Sequence, residues 1–90
     1  MPWNFNYLSE NPNITVDIVK ANRYRPWSWF WLSANKNMTW NTIQDNPDLP
    51  WDWNGISVNP NVTWEIVAAN PEKPWNWVAL THTLSRKTPL

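Results

Sequence analysis

The sequence repeats itself every 24 residues, and that period limits the fold before any single residue is weighed. Pro-Trp pairs begin at Pro2, Pro26, Pro50 and Pro74 with no insertion between them. Two residues after each of those tryptophans stands another aromatic: Phe5, Trp29, Trp53 or Trp77. An aliphatic (Leu8, Leu32, Ile56, Leu80) and a hydroxyl (Ser9, Ser33, Ser57, Thr81) follow. Then come Asn11, Asn35 and Asn59, the Asn-x-Thr triplets from Asn13, Asn37 and Asn61, and finally Asn22, Asn46 and Asn70. The chain divides into units 2–25, 26–49 and 50–73 and a capping unit 74–90, within a single repeat domain 1–90. Such a unit cannot bury its apolar face alone, so stacking of neighbours must supply the stability.

Each unit contains a weaker inner repeat. Asp52-Trp53 leads to Ile56 and then Asn59-Pro60, while Thr63-Trp64 leads to Val67 and then Asn70-Pro71. Asn4, Ser28, Asp52 and Asn76 in the first half, and Thr15, Thr39 and Thr63 in the second, have side-chain oxygens suited to the free N–H groups at a helix start. Asn suits a left-handed residue that closes a helix, and Pro just beyond cannot continue one. The halves therefore read as two-turn helices, one from about Trp53 and one from about Trp64. The expected fold is all-α, a short-helix α-solenoid of two-helix repeats. A β-solenoid is the alternative, because Val62 to Ile66 and the set Trp27, Trp29 and Trp31 alternate as strands do. Against it, Trp64 with Val67 and Ala68 fits a helix face, and one glycine is few for an array of hairpins.

Seven basic and seven acidic side chains cancel, which removes the electrostatic footprint of a nucleic-acid or anionic-membrane binder. There is no cysteine, hence no disulfide and no thiolate metal site. No apolar run approaches the roughly 20 residues of a membrane span, and because repeat sequence follows Met1 directly no signal peptide is expected. His82, the only histidine, lacks a neighbouring ligand set and reads as a surface residue. Ser9, Ser33 and Ser57 recur with the period, whereas a nucleophile with its base is needed once. No catalytic residue, metal site or cofactor is expected. The Asn-x-Thr triplets match the glycosylation pattern, but a turn Asn followed by a capping Thr already accounts for them.

Unit one carries Asn6, Glu10 and Lys20, as a terminal, solvent-facing unit does. Its last residues bring Arg23 and Arg25 beside Trp27, where a cation–π contact is expected. Unit two is the most aromatic; Phe30 and Trp31 cannot both face a core, which makes them candidate contact residues together with the two arginines. Gly55 lies inside a helix and reads as its weak point, since Gly costs about 1 kcal/mol relative to Ala there. Periodic Asn22, Asn46 and Asn70 are expected to bond backbone groups between units as a ladder.

Pro-Trp-Asn-Trp, Leu-Ser, Asn-Pro-Asn-Ile/Val-Thr-Trp-Glu-Ile-Val and Asn-Pro-Glu-Lys together resemble the Trp-rich, Asn-Pro-rich tandem repeats of large uncharacterised giant DNA virus proteins, over residues 2 to about 80. The resemblance implies a viral repeat protein, cytoplasmic or virion-associated, and brings no catalytic residues. The residues themselves point to a non-enzymatic scaffold for protein–protein interaction or self-assembly. A module stacking carbohydrate or proline-rich peptide on exposed Trp is the alternative.

Overall fold

The computed structural model describes residues 4–85, and among them every regular element is a helix. In chain order these are α1 (Phe5–Glu10), α2 (Val16–Ala21), α3 (Trp29–Ala34), α4 (Trp40–Asp45), α5 (Trp53–Ser57), α6 (Trp64–Ala69) and α7 (Trp77–Ser85). The starts fall on the caps read from the sequence. Thr15, Thr39 and Thr63 accept from the N–H groups of Ile18, Thr42 and Ile66, and Asn4, Ser28, Asp52 and Asn76 do the same for the odd-numbered helices. No strand forms among the described residues, so the alternation at Val62–Ile66 reflects a buried Val62 in the turn before α6 rather than a sheet.

The first six helices are shorter than two turns, with five or six residues each, and only α7, with nine, is longer. Helices so short have no independent stability. Their ends also close differently from the expectation, for no described residue outside glycine takes a positive φ. Instead the Nδ2 of Asn22, Asn46 and Asn70 donates to the carbonyl four residues back, on Ile18, Thr42 and Ile66, at 2.8 to 2.9 Å. The backbone carbonyls of Asn22, Asn46 and Asn70 accept the indole N–H of Trp27, Trp51 and Trp75 at 2.8 to 2.9 Å. One Asn thus ends a helix with its side chain and fixes the next unit's indole with its carbonyl; it is the backbone carbonyl, not the side chain, that reaches the next unit.

The ladder exists, but the other asparagines build it. Asn11, Asn35 and Asn59 each accept at Oδ1 from the backbone N–H two residues on, the Asx turn that such residues favour. The Nδ2 of Asn35 then donates back to the carbonyls of Ser9 and Asn11, and that of Asn59 to Ser33, Asn35 and Met38. Asn37 reaches Pro12 and Ile14, and Asn61 reaches Lys36 and Met38, in the same direction. Serine supplies a third cross-link: the Oγ of Ser9, Ser33 and Ser57 accepts the backbone N–H of Ser28, Asp52 and Asn76 at 2.9 to 3.0 Å. These bonds require fixed spacing between units, which is the physical reason the period admits no insertion.

The odd-numbered helices stack in chain order, α1 on α3, α3 on α5 and α5 on α7, in a body of 48 × 23 × 18 Å. Two apolar clusters fill it, one around Ile14, Val19, Trp27, Leu32 and Met38, the other around Ile43, Ile56, Val62, Val67, Trp75, Leu80 and Leu84; Trp51 packs against both. The packing is closest at α3 and α5. A Cβ on Gly55 would meet the Phe30 carbonyl oxygen and stand 2.8 Å from Ser33 Cβ, so Gly55 is not a weak point but the residue that lets the two helices touch. Its counterparts in register are Tyr7, Trp31 and Ala79.

Candidate interaction surfaces

Between units, each second aromatic meets the Pro-Trp ring of the next unit edge to face: Phe5 with Trp27 at 5.0 Å, Trp29 with Trp51 at 5.7 Å, and Trp53 with Trp75 at 5.1 Å, all within 85 to 90°. Such pairs add about 0.5 to 1.5 kcal/mol beyond their burial. In units two to four a third ring joins, since Trp40 stacks on Trp75 at 5.7 Å and edges onto Trp53 at 6.3 Å.

At the far end the same positions stand open. Trp77, in register with Trp53, is 53% exposed, and Trp64, in register with Trp40, is 39% exposed; Val78, at a position where Phe30 is half-buried and Asn54 exposed, is 72% exposed. Thr81 keeps the hydroxyl geometry of the interior units, donating to the Trp77 carbonyl at 2.9 Å as Ser57 donates to that of Trp53. Leu84, on the extension of α7, is buried in the second cluster, so the helix closes the core on one side and leaves its outer face bare. At the other end Tyr7, in register with Gly55, is 73% exposed. A groove of about 470 Å³ opens there beside Phe5, Leu8, Ile14, Ile18, Arg25 and Trp27.

The residues singled out from the sequence lie on the sides. Phe30 and Trp31 pair edge to face at 5.0 Å, with Phe30 half-buried and Trp31 43% exposed. Trp31 borders a shallow groove with Pro12, Pro60, Lys36, Glu10 and Val58. Arg23 and Arg25 are brought near neither ring. The guanidinium of Arg23 lies 5.8 Å over Tyr24 and 3.4 Å from Asp48, and the expected contact with Trp27 is replaced because that indole is buried against Phe5 while Tyr24 is open to solvent. Arg25 stands at the rim of the groove beside Trp27. Both partners of the Arg23–Asp48 pair are largely exposed, and such pairs contribute about 0 to 1 kcal/mol. Arg23→Gln should therefore shift a urea midpoint only slightly; a loss like that of a core substitution would show that the pair fixes the turn.

Sequence reasoning passed over Tyr7, Trp64 and Trp77. The period itself carried the signal: each occupies a position whose partner belongs to an adjoining unit. His82 is exposed on α7, and among the described residues no three His, Cys, Asp or Glu side chains stand together as a metal site would require. No helix among the described residues is long and apolar enough to cross a membrane. No family model, curated protein or solved structure matches the chain. On the geometry it is an all-α protein of tryptophan-rich tandem repeats.

Proposed function

We propose that the chain is a non-enzymatic scaffold for protein–protein contact, copies of itself included. The observation that carries the reading is the bare aromatic pair Trp64 and Trp77, whose counterparts inside the stack, Trp40 and Trp53, are packed against a ring of the following unit. Its periodic serines and asparagines are spent on joining units, which accounts for their recurrence without chemistry. The resemblance to tandem repeats of giant DNA virus proteins agrees with such a scaffold, in a cytoplasmic or virion-associated setting, and its balanced charge agrees with a protein rather than a nucleic-acid partner.

Tryptophan fluorescence tests the reading. Trp31, Trp64 and Trp77 should give a red-shifted fraction that acrylamide quenches in dilute solution and that becomes protected as protein concentration rises. The groove beside Trp31, flanked by Pro12 and Pro60, favours a second reading in which the rings stack carbohydrate or a proline-rich peptide. Protection by an oligosaccharide or a polyproline peptide, with none from protein concentration, would replace the scaffold by a ligand-binding module.

A further inference from the structure

We infer that the partner at the α7 end is the N-terminal unit of a second copy, joined head to tail; the inference rests on the scaffold reading and names its partner. The chain itself displays what covers this face. Inside the stack the outer side of each odd-numbered helix receives three things from the next unit: a Pro-Trp ring on its second aromatic, a backbone N–H on its hydroxyl, and a close-packed helix. The outer side of α7 offers the ring and the hydroxyl in the same register, Trp77 and Thr81, both exposed, with Val78 exposed beside them. In that register a second copy contributes the N–H of Asn4 and α1 with Tyr7. Inside one chain the positions of Trp64 and Trp77 are those of Trp40 and Trp53, which a ring of the next unit covers. Tyr7 is the matching bare residue on the opposite end, so the two uncovered faces are complementary rather than alike.

The joint between copies is weaker than the joint between units. Asn35 and Asn59 bond carbonyls at the ends of α1 and α3 and in the turns after them, but Thr83 and Ser85 stand where the chain would turn, and α7 runs on through them. The asparagine ladder therefore stops, leaving the contact of α1 on the α7 face and the hydroxyl bond. Association is reversible, and because a head-to-tail contact uses two different surfaces it extends into chains unless it closes into a ring.

The test uses one variant at each end, Tyr7→Glu and Trp77→Glu, with Val78→Glu as a second variant of the α7 face. Light scattering on the wild type should give a mass that rises with concentration and falls on dilution. Each variant alone should stay at the mass of one chain, with unchanged far-ultraviolet circular dichroism. Mixed in equal amounts, Tyr7→Glu and Trp77→Glu should form a dimer that grows no further, because each retains the surface the other has lost. Association that persists in either variant alone would overturn the head-to-tail order while leaving the scaffold standing. A wild type at one-chain mass at every concentration would overturn the inference, whatever foreign protein the scaffold holds.

Discussion

Replacing Asn59 with alanine is expected to destabilise the fold by about 3 kcal/mol or more, a large part of the 5 to 15 kcal/mol that holds a typical domain together. The side chain is wholly inaccessible, and its amide donates to Ser33, Asn35 and Met38 at 2.7, 3.1 and 2.9 Å while its Oδ1 closes the turn to Asn61 at 2.7 Å. Two N–H groups shared among three carbonyls leave no spare donor, so truncation strands acceptors away from water. Asn59→Asp should be worse, because it keeps the turn but turns a carboxylate oxygen toward three carbonyl oxygens. Asn35→Ala should cost less, about 2 kcal/mol, since its two bonds to the preceding unit lie nearer the end of the stack. Asn11→Ala should cost about 0.5 to 1 kcal/mol, because Asn11 is exposed and among the described residues its side chain closes only its own turn. Urea denaturation of the three alanine variants checks the order. Equal losses at all three positions would mean that the ladder contributes nothing beyond the local turns.

That graded series also marks how far the sequence could be read. A strict period, cap residues and Asn-Pro exits are local signals, and they placed each helix start at the right residue, from Phe5 through Trp77. The identity of the ladder was not local. An asparagine offers an acceptor and two donors, and whether the donors turn back four residues, as in Asn46, or cross to the previous unit, as in Asn59, depends on which carbonyl the stack brings near. Spacing alone cannot state that distance. Arg23 shows the same limit: its neighbour in sequence space, Trp27, was predictable, but burial of that ring and the approach of Asp48 follow only from the packing of unit two on unit one. The candidate surfaces were legible at Trp31 from crowding of aromatics, whereas Trp77 required knowing that the ring is half of a pair.

Gly55 gives the sharpest conflict between local preference and packing. Helix propensity alone predicts that Gly55→Ala stabilises α5 by about 1 kcal/mol. The added Cβ, however, would press on the Phe30 carbonyl oxygen and on Ser33 Cβ, so relief requires backbone to move. The backbone is held on both sides of the contact: Ser33 Oγ accepts from the Asp52 N–H at 2.9 Å, and Asn59 donates to the Ser33 carbonyl at 2.7 Å. Separating α3 from α5 therefore strains bonds before and after the glycine at once. Overpacking of this kind costs about 1 to 3 kcal/mol or more, and contact with main chain puts it at the upper end. The net expectation is a loss of about 2 kcal/mol, or a melting temperature lower by roughly 8 to 16 °C in a chain of this size. Gly55→Leu should prevent the units from stacking. The opposite exchange one unit on, Ala79→Gly, should also destabilise, by about 1 kcal/mol, because there the methyl group is already accommodated and only propensity changes. Opposite substitutions at equivalent positions that both lower the melting temperature would establish that the units, though equal in sequence spacing, are not equal in separation. A gain in stability from Gly55→Ala would mean instead that α5 can slide on α3, and that the serine and asparagine bonds across this joint do not fix its width.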